Sequence, residues 1–152
     1  MLTERASLIL HAWDEQLITS DEVRQWADNE LRLAIKDPAP APVWLLDLVQ
    51  FGPQQFGDAS VGSWCRTPSL RVQFAFRATR LDLQDRRCVD AFAHWLSRGR
   101  GEELTGPELE LAREVTHYLD GLEDPDLAIG CVRARLPALI ESCKATIRAI
   151  LG

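Results

Sequence analysis

Apolar side chains recur three and four residues apart along most of this sequence, which is the spacing of one face of an α-helix. The first such stripe consists of Leu2, Ala6, Ile9, Trp13 and Leu17. Helix-start residues, and breaks rich in proline or glycine, separate one stripe from the next. The sequence therefore predicts an all-α fold, a bundle of about seven helices.

The sequence contains signals for where the first three helices begin and end. We expect Thr3 to cap the first helix, and Thr19 with Glu22 to form the capping box of the second. Three prolines in residues 37–42 end the second helix, because proline cannot continue one. Pro42 is placed to open a short third helix. That helix is apolar on most sides, so we expect it to be buried.

The middle of the chain is harder to assign. Residues 51–67 show no periodicity and are rich in glycine and polar side chains, so we predict a long loop there. Residues 68–79 fit two structures. Leu70, Val72 and Phe74 alternate with polar residues as in a half-buried strand, but no second strand candidate appears to pair with it. Leu70 and Phe74 also share a helical face, and we favour the helix.

The second half again reads as capped helices. Asp82 or Asp85 begins one helix, with Cys88 among its inward positions. Asp124, followed by a proline, begins the last helical segment. Pro137 lies inside that segment and is expected to kink it or split it in two.

Length and composition indicate one domain spanning residues 1–152, because a chain of 152 residues with 46% hydrophobic residues can bury one ordinary core. The start lacks the basic and apolar regions of a signal peptide, and no apolar run could cross a bilayer, so we expect a cytoplasmic protein without a membrane partner. Four cysteines without a CxxC spacing indicate reduced, structural thiols.

The net charge of −6 argues against nucleic-acid binding, which needs lysine and arginine on phosphates. The charge is unevenly distributed. Residues 1–59 hold 4 basic and 10 acidic side chains, residues 60–100 hold 8 and 3, and residues 101–152 hold 5 and 10. We favour mutual compensation between these segments over the alternative, an arginine-bearing face for an acidic protein partner.

The sequence contains few motifs that are typical of metal binding or catalysis. Glu114 and His117 have the Glu-x-x-His spacing of di-iron bundles, which use two such motifs where this chain has one. No cysteine–histidine spacing suits zinc, and no nucleophile elbow, P-loop or dinucleotide fingerprint appears. We therefore expect no cofactor and consider an enzyme less probable than a non-enzyme. The alternative is a helical-bundle metal-dependent enzyme that uses Glu114 and His117.

The predicted loop and the helix after it carry the candidate binding residues. Trp64 and Arg66 lie in the loop, and Arg71, Arg77 and Arg80 follow. Tryptophan and arginine are common anchors of protein interfaces. We favour the simpler interpretation that Trp64 pins the loop to the body of the protein.

One stretch carries a resemblance. The run from Leu17 to Val23, the triplet Trp26-Ala27-Asp28 and the run from Pro42 to Leu48 are similar to segments of small uncharacterised bacterial all-helical proteins, some of them like immunity proteins that neutralise a toxin. The resemblance covers about residues 8–50. It implies a non-enzymatic protein that binds another protein, and it assigns no functional residue. We therefore predict a cytoplasmic protein-binding domain, immunity-like or regulatory, that acts by stoichiometric binding; homo-oligomerisation stays open.

Overall fold

The computed structural model describes residues 1–55, 64–98 and 103–152, and these residues form helices, turns and connectors without a strand. The predicted all-α class is confirmed. The α-helices are α1 (Leu2–Asp14), α2 (Ser20–Ala34), α3 (Val43–Phe51), α4 (Leu70–Arg80), α5 (Arg86–Ser97), α6 (Gly106–Thr116), α7 (Pro125–Arg135) and α8 (Ile140–Leu151). A 3-10 turn, Leu136–Leu139, lies between α7 and α8 and contains Pro137. The last helical segment is therefore split in two at this proline, as predicted.

The chain divides into two compact units, Met1–Pro68 with α1 to α3 and Ser69–Gly152 with α4 to α8. In the first unit α2 packs mainly against α3. In the second unit α4 packs against α8, and α5, α6 and α7 pack against one another. The single domain proposed from the sequence stays a prediction.

The start of α2 is the capping box that the sequence predicts. The Thr19 hydroxyl accepts a hydrogen bond from the Glu22 N–H at 3.2 Å, and the Glu22 carboxylate accepts one from the Thr19 N–H at 2.8 Å. The expected cap at Thr3 is wrong, because α1 already begins at Leu2 and Thr3 lies inside the helix. Met1 holds the cap position of α1 and makes no side-chain capping hydrogen bond.

Two burial predictions for the first unit are wrong in opposite directions. Helix α1 buries more than one stripe, because Leu8 and Leu10 are buried together with Ala6 and Ile9. Helix α3 buries less than expected: Leu45 and Leu48 are fully buried, but other apolar side chains of the helix face solvent. A helix that is apolar on most sides is buried only if neighbours surround it, and its own sequence does not supply them.

An ion pair links α1 to α2. The Arg5 guanidinium donates to the Glu30 carboxylate at 2.7 Å, and the Glu30 side chain is buried. A buried carboxylate without a cation would strongly destabilise the fold, so Arg5 and Glu30 depend on each other.

Residues 68–79 adopt the favoured helix from Leu70 onward, and Ser69 caps it. The alternating pattern has a physical explanation, since α4 is buried on most of its circumference. Phe74 and Phe76 are buried, and so are Gln73 and Ala75 between them. Phe74 meets Phe92 of α5 edge to face, with ring centroids 5.7 Å apart, at the centre of the second unit's core.

The capping box gives a stability prediction. Thr19→Ala removes the acceptor for the Glu22 N–H, so the free energy of unfolding should fall by about 1 kcal/mol in urea denaturation. Thr3→Ala is the matched control, because Thr3 caps nothing and alanine is the better helix former. Equal losses for the two variants would contradict the assigned helix starts.

Candidate functional site

Exposed large apolar side chains are concentrated in one stretch of the first unit. Among the described residues, five of the eight such side chains lie between the end of α2 and the end of α3: Leu33, Ile35, Val43, Leu46 and Phe51. Scattered exposed apolar residues are ordinary, whereas apolar residues that are contiguous on the surface are typical of interaction sites. Two of these five occupy consecutive turns of one helix.

Those two residues are Val43 and Leu46, which are 72% and 44% exposed. At about 100° per residue, Val43 and Leu46 lie within about 60° of each other around the axis of α3. The buried Leu45 and Leu48 lie on the opposite side. Asp47 is next to Leu46 and one turn beyond Val43. We call Val43, Leu46 and Asp47 the outer face of α3.

Both ends of α3 are held in place. Pro42 precedes the helix in an extended conformation, and its ring restricts the backbone there. At the other end, the Arg24 guanidinium of α2 donates to the Phe51 carbonyl at 3.2 Å. Gly52 then ends the helix with a φ of 77°, a conformation that favours glycine. The outer face is therefore carried by an anchored element.

Asp47 is the only charged residue in α3 and is half-buried. Its carboxylate has no hydrogen-bond or ion-pair partner among the residues that the structure describes. Other carboxylates of the first unit do have cations, since Asp28 pairs with Arg32 at 2.8 Å and Glu30 with Arg5. A partly desolvated carboxylate beside apolar side chains favours a cation from outside.

The tryptophan and arginine predicted in the loop belong to the first unit. The ring of Trp64 stacks on Trp44 of α3, with centroids 4.7 Å apart and planes inclined by 25°. This contact supports the favoured interpretation that Trp64 pins the chain to its own unit. Arg66 is exposed, and its backbone N–H donates to the Ser7 hydroxyl at 3.2 Å. Residues 56–63 of the predicted loop lie outside the described residues.

The three other predicted arginines lie on α4 of the second unit. Arg77 covers the ring of Trp95 at 4.7 Å, and Arg80 covers Phe76 at 5.7 Å. Arg71 lies about 180° around the helix from Arg80, whereas Arg77 lies within about 60° of Arg80. Helix α4 thus brings Arg77 and Arg80 together but not Arg71, and the binding role of all three stays a prediction.

The alternative metal ligands already have other contacts. The Glu114 carboxylate accepts a hydrogen bond from the Tyr118 hydroxyl at 3.1 Å and forms an ion pair with Arg135. His117 is exposed, at the start of a π-helical turn, His117–Gly121. In the described parts of the chain, no three histidine, cysteine or acidic side chains are grouped so that they could hold a metal ion. A metal at Glu114 would have to displace Arg135.

A groove of about 600 Å³ lies in the second unit, between α5 and the π-helical turn. No sequence motif predicts this groove, although the adjacent Arg86 and Arg87 were a possible signal. Its lining carries two arginines, three carboxylates and one histidine: Arg86, Arg87, Asp90, Asp120, Glu123 and His94. Arg86 pairs with Asp126 of α7, and His94 lies 3.5 Å from Asp90. A lining of mixed charge does not select a ligand of one sign.

The four cysteines are free, as predicted, but one position was assigned wrongly. Cys88 is exposed in the first turn of α5 and not inward, because Val89 and Phe92 lie on the side of the helix that faces the core. A hydrogen bond to the Asp85 carboxylate raises the pKa of the Cys88 thiol. Burial raises the pKa of Cys143 to about 11 and also raises that of Cys131. The exposed thiol and the half-buried Cys65 are therefore the reactive candidates.

Comparison of the chain with protein-family models, with curated proteins and with solved structures found no match. None of the described helices combines the length and the apolar character that a membrane span needs. What can be inferred of function comes from the side chains of the chain itself.

The environment of Cys88 gives a reactivity prediction. Asp85→Asn replaces the carboxylate whose hydrogen bond to the thiol, and whose negative charge, both raise the pKa of Cys88, while asparagine caps a helix as well as aspartate does. The pKa of Cys88 should fall, and its reaction with a disulfide reagent at one mildly alkaline pH should become faster. The reaction of Cys65, in the first unit, is the internal control and should not change. A Cys88 rate that stays the same or falls would contradict this account.

Proposed function

We propose that the chain is a protein-binding domain that acts by stoichiometric association with one partner, in an immunity-like or regulatory role. The observation that carries the proposal is the outer face of α3, where Val43 and Leu46 are exposed on a helix anchored at both ends. Interfaces are built around apolar side chains on preorganised elements, because little conformational entropy is lost when a partner covers them.

The magnitudes indicate how large the interface must be. Full burial of a valine or leucine contributes about 1.5–3 kcal/mol, and Val43 and Leu46 are already partly covered. Their remaining contribution of roughly 2 kcal/mol does not offset the entropy lost on association, which costs at least about 4 kcal/mol. A partner must therefore also cover neighbouring surface, and the exposed Leu33, Ile35 and Phe51 belong to the same unit.

The charge of the first unit favours a basic partner on this face. Its described residues include nine acidic and five basic side chains. The acidic partner that stands as the alternative in the charge distribution would use a different surface, the arginines of α4. The two surfaces therefore call for partners of opposite charge, and variants of each can separate them.

Site-specific photo-crosslinking in cells of the source organism tests the proposal. A photoreactive residue at position 43 should give one adduct, with the mass of one chain plus one partner. Position 127 in the second unit is the matched control, because Leu127 is 47% exposed. The same adducts at both positions, or none at position 43, would show that this face is not an interface.

The arginine surface can be tested in the same assay. Arg71→Glu with Arg80→Glu should leave the adduct at position 43 unchanged, if α3 carries the interface. Arg77 is left in place, because it is half-buried with its guanidinium 4.7 Å from the Trp95 ring, and its loss would also remove packing. Arg80 is exposed and lies farther from its ring, at 5.7 Å from Phe76. Loss of the adduct in the double arginine variant would instead favour an acidic partner that binds the arginines of α4.

A further inference from the structure

The outer face of α3 combines two exposed aliphatic side chains with an acidic one. Asp47 follows Leu46 directly, is half-buried, and has no partner in the described parts of the chain. We infer that this face docks a basic amphipathic helix of a partner protein, whose lysine or arginine binds Asp47 while its apolar residues cover Val43 and Leu46. The inference rests on the proposed function and specifies the chemistry of the partner.

A partner that docks on the outer face of α3 must supply a cation near Asp47. A partner that covered Val43 and Leu46 with apolar groups alone would also remove water from the neighbouring carboxylate. Burying a carboxylate without a positive charge is strongly unfavourable, so such a partner would bind poorly. A lysine or arginine near its apolar residues makes the same burial favourable and selects against neutral and acidic partners.

A second copy of the chain does not meet this requirement. Helix α3 contains no lysine or arginine. In a two-fold symmetric dimer the same face lies on both sides, so one Asp47 would lie near the other without a cation from either α3. Like charges brought together in a partly dehydrated interface oppose association. The occupant is therefore a different protein.

The spacing of the face fits a helix. Its residues stand at positions i, i+3 and i+4, which form the ridges and grooves that a second helix packs into. Strand addition is not available here, because the backbone groups in the middle of α3 are already bonded within the helix and present no free edge. The negative charge of the first unit would also attract a basic helix at long range, and added salt would weaken that attraction.

A synthetic peptide tests the inference without the natural partner. The probe is a fluorescent Leu/Lys amphipathic helix of about 14 residues, the length of an ordinary protein helix. The full chain should bind it, as measured by fluorescence anisotropy. A Leu/Glu peptide with the same pattern, and a Leu/Lys peptide interrupted by prolines, should bind much more weakly. No binding of the Leu/Lys helix, or equal binding of the Leu/Glu peptide, would overturn the inference.

Matched variants locate the site. Asp47→Asn should weaken binding about tenfold, while Asp14→Asn, which removes an exposed charge of the same unit, should weaken it less than about twofold. Asp47→Glu keeps the charge and should restore most of the affinity. Equal effects of Asp47→Asn and Asp14→Asn would show that the peptide responds only to net charge, and the inference would be wrong.

The apolar part of the face has its own control. Val43→Ser with Leu46→Ser should weaken peptide binding about tenfold. Leu122→Ser with Leu127→Ser in the second unit should leave peptide binding unchanged. If the double variant unfolds, Val43→Ser alone is used instead, because Val43 is the more exposed position. This single variant should also weaken peptide binding. Equal effects of the serine pairs, or a solution dimer that Val43→Ser abolishes, would overturn the inference.

The two proposals can fail separately. If the peptide does not bind but the crosslinked adduct at position 43 persists, the chain binds a protein of different chemistry. If the adduct at position 43 is also absent, the protein-binding role at α3 is wrong as well.

Discussion

The backbone of a buried helix must pair its polar groups internally, and only the ends remain to be satisfied by other means. Once a segment is helical, a rotation of about 100° per residue fixes which of its side chains share a side. Helix α3 illustrates the constraint. Because Leu45 and Leu48 are buried, Val43 and Leu46 lie on the outward side of the same helix. The candidate interface is thus a consequence of which side of α3 packs within its own unit.

Features that depend on neighbours in sequence could be predicted. The capping box of Thr19 and Glu22, the cap at Asp124 and the split at Pro137 are confirmed. Of the two starts predicted for α5, Asp82 or Asp85, the structure has the cap at Asp85. Each involves groups no more than four residues apart, so the sequence contains both partners. The helical class follows from the same local signals repeated along the chain.

Burial could not be predicted in the same way, because it depends on elements that lie far apart in sequence. Helix α1 is covered beyond its predicted stripe, and the outward side of α3 is left open. The candidate site could not be predicted from the sequence for the same reason. The charge distribution indicated the arginines of α4, but only the structure shows that Arg77 lies on Trp95. Asp47 carried no motif, and its lack of a described partner is a property of the fold.

The stacked indoles of Trp44 and Trp64 have a spectroscopic consequence. Transition dipoles of two aromatic rings at this separation couple, and the coupling falls steeply as the rings move apart or rotate. Since Trp44 belongs to α3, the near-ultraviolet circular dichroism of the pair is an intrinsic optical gauge of that helix. The protein therefore contains a label-free sensor for displacement of the element that carries its candidate interface.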